Sequence, residues 1–155
     1  ATLSLVPPYT SIGKLVPQLN ERVEEVCRAT GADQVALIAH SMGGLVCRSY
    51  LARHGGSRVE RLVTIASPHA GTELARIGIG RNAREMEPDS LWLKDLATEN
   101  VPVPTISIRT PHDNYVMPQD NQRLPGAIDV EMDGIGHLSV LYTRRTADEL
   151  IAACR

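Results

Sequence analysis

Phenylalanine is absent from this 155-residue chain, and aromatic residues make up only 3% of it. A core must therefore be assembled from Val, Leu, Ile and Ala. Lysine is scarce, at Lys14 and Lys94 alone. The remaining basic residues are scattered arginines with no stripe of interleaved aromatics, a pattern that argues against a nucleic-acid reader. A net charge of −2 gives no general pull toward nucleic acid or an anionic membrane. No apolar run approaches the roughly 18 residues that a membrane-spanning helix needs. No basic start followed by an apolar stretch marks a secretory signal. The chain opens on Ala1 without an initiator Met, which is compatible with a leader removed upstream. The three cysteines, Cys27, Cys47 and Cys154, form no CxxC pair and no zinc spacing. Their odd number allows at most one internal bridge. Buried free thiols are expected; a Cys27–Cys47 bridge is the alternative, and would suit an oxidising compartment.

What is present reads as one α/β domain over 1–155. The length suits one domain, and no repeat, low-complexity tract or linker interrupts it. Residues 2–6, TLSLV, predict a short strand ended by Pro7-Pro8. Leu15, Leu19, Val23 and Val26 recur on one helical face over 11–29, with Pro17 in the first turn or bending the helix and Gly31 as its stop. Residues 34–39, QVALIA, predict a strand covered on both faces, as in a parallel sheet. Helix over 41–53 and a strand over 58–67 follow. Short helical pieces over 72–99 have Trp92, Leu93 and Leu96 as anchors. Further strands are expected over 103–109 and 126–132. A last helix starts from a capping box at Thr146 and Glu149. Such alternation predicts a mainly parallel sheet with right-handed crossovers.

Between the second strand and the second helix stands Ala39-His40-Ser41-Met42-Gly43. A serine at a sharp strand-to-helix turn, with small residues two before and two after it, has the form of a nucleophile elbow, here with Ala in place of the first Gly. The turn lifts the Ser41 hydroxyl clear of the sheet. It also sets it at a helix N-terminus, whose partial charge favours a developing anion, with the Met42 backbone N–H directed at the oxyanion position. A serine hydroxyl needs a histidine to take its proton, and that histidine needs an oriented carboxylate. The expected order is Ser, Asp/Glu, His, each after a later strand. TISIRTPHDNYVMP carries Asp113, with Asp120 as a rival in the same loop, and DGIGHLSVLYT carries His137 beside Gly136.

Here the sequence resembles the bacterial triacylglycerol lipases of the α/β-hydrolase superfamily, from about Leu5 to Leu150. TGADQVALIAHSMGGLVCRSYL is similar to their elbow, with Ala before His-Ser as in the small Bacillus-type enzymes. LVTIASPHAGT and GHLSVLYT resemble the loop after the next strand and the loop of the catalytic histidine. The resemblance implies a three-layer α/β-hydrolase-like fold with a mainly parallel sheet, N-terminally truncated. It implies Ser41 as nucleophile, Asp113 as acid and His137 as general base. DNYVMP matches the family's acid, hydrophobe and proline pattern, which favours Asp113 over Asp120. It also implies an ester or lipid substrate, no cofactor, and secretion, with a cytoplasmic location the alternative. Some larger relatives hold calcium through an Asp two residues beyond the histidine; Ser139 stands there, so no metal is expected.

Other histidines have plainer expectations. His40 is a packing or hydrogen-bonding residue, His69 structural, His112 an exposed loop residue, and His54 a helix C-terminal cation. Asp133 shapes the turn before His137. GIGIG follows no strand of a βαβ unit, so no dinucleotide site is expected. The reading is a carboxylic ester hydrolase working through an acyl-enzyme. An acyltransferase or amidase with the same triad, or a catalytically silent binding domain, are its rivals. About 36 residues between two strands are short for a large lid, which favours an esterase or lidless lipase. The family's first three strands and first helix have no counterpart. TLSLV resembles the family's fourth strand, and the third would lie between it and the strand leading to Ser41. Either TLSLV shifts to pair directly with VALIA, or an upstream segment or second chain fills the gap.

Overall fold

The first helix, α1 (Ile12–Thr30), buries Leu15, Leu19 and Val23 on the face that the apolar spacing predicts and ends on Gly31 in the left-handed conformation (φ 73°). Pro17 lies inside this helix, past its first turn. Proline has no N–H to bond the carbonyl four residues back, and that carbonyl, of Gly13, instead accepts a hydrogen bond from Arg53 Nη1 at 2.9 Å. The helix therefore keeps its ladder satisfied through a side chain of α2 (Met42–His54).

In this computed structural model, which describes residues 1–154, the strands β1 (Val35–His40), β2 (Val59–Ile65), β3 (Thr105–Arg109) and β4 (Ile128–Glu131) form one sheet in that spatial order. All three pairings are parallel, with Ala39 opposite Thr64, Val63 opposite Ile106 and Ile108 opposite Val130. Between β2 and β3 lie a 3₁₀ turn (Glu73–Ile77) and two short helices, α3 (Arg81–Glu85) and α4 (Leu91–Thr98). Leu93 and Leu96 are buried anchors of α4. The chain closes with α5 (Arg144–Ala153).

The layers follow from side-chain alternation along the strands. Leu37, Ala39 and Leu62 join α1, α2 and α4 in one apolar cluster. Val63, Ile65 and Ile108 point the other way and pack with Met132, Val140 and Ala153. Helices thus cover both faces of the sheet, the three-layer arrangement expected. Parallel strands send their connections to the same end, and ligand sites of open α/β sheets lie at the strands' carboxyl ends.

Four expectations need correction. Residues 2–6 form no strand. No strand lies beside them to hydrogen-bond with, so TLSLV does not pair with VALIA; β1 has β2 as its sole partner among the described residues. β1 is also not covered on both faces, since Ile38 is 50% exposed. It is an edge strand, and the second layer of helix stops short of it. The last helix starts three residues earlier than the capping box suggests: Thr143 is the N-cap and accepts from Thr146 N at 3.1 Å. Cys27 and Cys47, by contrast, are the buried free thiols expected, while Cys154 is a free thiol but exposed.

Candidate active site

β1 runs straight into α2 through Ser41. The Ser41 N–H extends the sheet ladder by donating to Ile65 O at 2.9 Å, and its carbonyl already accepts from Gly44 N at 3.1 Å. Serving both elements within one residue forces Ser41 to φ 54° and ψ −129°. A side chain at positive φ costs on the order of 1–3 kcal/mol and persists only where its surroundings over-determine it. Ala39 and Gly43 sit close: a Cβ on Gly43 would meet the Ala39 Cβ at 3.5 Å, an ordinary contact. The tighter requirement falls on Gly44, where a Cβ would lie 2.3 Å from Ser67 Oγ. The second glycine of the GG pair was visible in the sequence. What it must avoid, the end of β2, was not.

The other two members come from the same end of the sheet. Asp113 follows β3 and is buried. Its Oδ1 accepts from the N–H groups of Tyr115 (2.7 Å) and Val116 (2.8 Å), while Oδ2 lies 2.7 Å from His137 Nδ1. Burial pulls the Asp113 pKa up, but the hydrogen bonds from His137, Val116 and Tyr115 outweigh it and hold the carboxyl below its ordinary value. His137 follows β4, with its Nε2 3.1 Å from Ser41 Oγ. Gly134 (φ 74°) turns this loop. Gly136, expected to allow close approach, faces open space, with nothing within 4 Å of a Cβ placed there.

The structure therefore brings Ser41, His137 and Asp113 into one hydrogen-bonded line, with Asp113 at His137 Nδ1 and Ser41 at Nε2. The Met42 N–H opens α2, where the first turn has no upstream carbonyl to accept it. Asp120 is not part of this line; it pairs with Arg123 at 3.1 Å on the surface.

Each remaining histidine has its own partner. His112 Nε2 meets Asp133 Oδ1 at 2.8 Å in an exposed pair. His54 stacks on Tyr50. His69 Nε2 meets Thr64 Oγ1 at 3.0 Å; burial first, and the nearby Arg48 charge second, push its pKa down to about 3. It is a buried neutral imidazole. His40 and Tyr115 flank the His137 ring, with centroids at 4.7 Å and 4.9 Å. Tyr115 was not singled out from the sequence. Its signal, two residues after the acid, is too weak without the fold. Among the described residues no three His, Cys, Asp or Glu side chains converge on a metal position.

A cleft of about 590 Å³ opens along the outer edge of β1. Leu3 and Leu5 line one side, Leu19 and Val23 of α1 another, and Ser41 with Met42 its end.

Known proteins share this architecture. A family model described as the alpha/beta hydrolase fold matches residues 16–92. A triacylglycerol lipase of Pseudarthrobacter phenanthrenivorans is 47% identical over 58 residues, 37% of this chain and 18% of that protein. One of Burkholderia plantarii is also 47% identical over 58 residues, 16% of its length. The mature form of the Bacillus licheniformis lipase BlEst2 superposes with a TM-score of 0.83 at 16% identity, covering 95% of this chain and 76% of that one. The chain thus matches less than a fifth of the length of these two curated relatives.

Proposed function

We propose that this chain, which has the α/β-hydrolase fold, carries the catalytic centre of a carboxylic ester hydrolase of the lipase and esterase kind. The observation that carries the reading is the Ser41–His137–Asp113 line at a strained strand-to-helix turn. Ser41 Oγ attacks the ester carbonyl while its proton passes to His137 Nε2. Asp113 holds the imidazole tautomer and stabilises the imidazolium. The Met42 N–H donates to the oxyanion, the alcohol departs with the proton from His137, and an acyl-enzyme remains on Ser41. Water, deprotonated by His137, then releases the acid. The similarity to triacylglycerol lipases supports an ester or lipid substrate.

Water as the acceptor distinguishes this reading from acyl transfer, and an activated serine distinguishes it from a silent binding domain. Fluorophosphonate labelling and p-nitrophenyl ester hydrolysis test it together. The parent chain should label and hydrolyse; Ser41→Ala should do neither, with an unchanged circular dichroism spectrum. More than a few per cent of parental activity in Ser41→Ala would assign the chemistry to another residue.

The outer edge of β1 supports a further part of the proposal. An extended segment, upstream in the same polypeptide or from another chain, pairs with that edge and brings a second oxyanion donor. A strand edge carries rows of unpaired N–H and C=O groups, a template with which another backbone pairs. An acyl chain filling the same cleft would leave them unpaired.

A further inference from the structure

We propose that His40 is a positioning residue for the general base, its Nε2–H holding the main chain of His137 by donating to that residue's carbonyl. This rests on the serine-hydrolase reading above. His40 Nε2 lies 3.0 Å from His137 O, and its ring leans on the His137 ring at 4.7 Å and 51°. The Tyr115 ring also stacks on the imidazole, at 4.9 Å and 30°.

The elements explain why such a brace matters. His137 sits in a loop between β4 and α5, outside any strand ladder. The ties around it are Thr110 Oγ1 donating to the Ile135 carbonyl and Val140 N donating to Gly136 O. Neither reaches residue 137 itself. His40, by contrast, is the last residue of β1 and is registered opposite Ile65. It is rigid because the sheet is rigid, and it adjoins Ser41. One strand end therefore fixes both the nucleophile and, through His40, the base that must meet it at 3.1 Å.

A carbonyl only accepts, so the role requires a proton on His40 Nε2. Burial, the largest influence, lowers the His40 pKa, and the neutral Nε2–H form meets the requirement. Neutrality also suits the chemistry, because a second cation beside the ring would oppose the imidazolium that forms when His137 takes the Ser41 proton. The titratable groups acting on His40 are His137 and Asp113.

The test uses the full chain with His40→Gln, which keeps a donor near the Nε2 position, and His40→Leu, which keeps bulk without a donor. Fluorophosphonate labelling rate, kcat, KM and melting temperature are measured for parent and variants. A misplacement of about 1 Å costs on the order of 100-fold in rate. His40→Leu should therefore lower kcat and labelling rate by about 10- to 100-fold with KM within about twofold, and His40→Gln should recover most of the loss. His40→Leu at the parental rate overturns the proposal, as does His40→Gln impaired as severely as His40→Leu. Ring nitrogen NMR of the parent gives a check that needs no variant to fold: a His40 bearing its proton on Nδ1 overturns the role. A parent chain that does not label at all sinks the serine-hydrolase reading, and this role with it. A labelling parent with an unaffected His40→Leu sinks this role alone.

Discussion

Asp113 divides its two carboxylate oxygens between the backbone and the base. Oδ1 is fixed by two N–H groups of its own loop, so Oδ2 is presented to His137 in one orientation and the imidazole has no freedom to flip. Removing the charge while keeping the shape tests that arrangement. Asp113→Asn should lower turnover by about 10⁴, the cost of a wrong imidazole tautomer in a serine protease triad. Asp120→Asn should change it less than about twofold, because an exposed ion pair such as Asp120–Arg123 contributes at most about 1 kcal/mol. Ester hydrolysis by the two purified variants decides between them, and a reversed outcome would move the acid to Asp120.

At the scale of elements, the turn from β1 to α2 works because α2 can descend against β2 without a side chain in the way. The contact is between Gly44 and Ser67. Gly44→Ala should destabilise the fold by about 1–3 kcal/mol, the usual cost of overpacking a filled site. Gly43→Ala, with its Cβ at ordinary contact distance from Ala39, should be neutral or gain up to about 1 kcal/mol of helix propensity. Urea denaturation midpoints report both, and a Gly43→Ala variant less stable than Gly44→Ala would show that the elbow is packed differently. The same element-level logic explains Pro17: its disruptive effect in α1 is offset by Arg53 reaching the freed carbonyl of Gly13.

Across the whole molecule, the sheet ends in two edge strands among the described residues, β1 pairing only with β2 and β4 only with β3. The Ser41–His137–Asp113 line lies past the carboxyl ends of β1, β3 and β4, and Ser41 and Met42 are among the residues lining the cleft along β1. The proposed mechanism assigns one oxyanion donor among the described residues, the Met42 N–H, and loss of one donor costs about 10²–10³ in rate. The 155-residue chain by itself should therefore turn over p-nitrophenyl esters well below the median enzyme value of about 10 per second. Intact mass spectrometry establishes that no other chain is present in the assay. Turnover near that median from the chain alone would mean that a second donor lies within these residues and that the open edge of β1 has no catalytic consequence.

The features legible from sequence were those with a local cause. Apolar spacing along 12–30 sets the face of α1, since residues three and four apart share a side of a helix. The elbow declares itself in Ala39-His40-Ser41-Met42-Gly43 as a serine between small residues at the end of an apolar run, although its tightest steric demand falls on Gly44 against the distant Ser67. Strand–helix alternation announces the parallel sheet, since parallel strands need crossovers. Failures came where a partner distant in sequence decides. TLSLV has the composition of a strand, but a strand exists only when paired with another backbone, and these residues face β1 across the cleft without pairing to it. Asp113 and Asp120 occupy one loop; the family pattern in DNYVMP favours Asp113, while the contact itself, with His137 24 residues on, comes from the placement of β3 against β4. Gly136, which beside His137 reads as letting the loop approach closely, faces open space. The grip of His40 on a carbonyl 97 residues away has no local trace, because hydrogen bonds between the ends of two strands depend on the order in which the sheet assembles them.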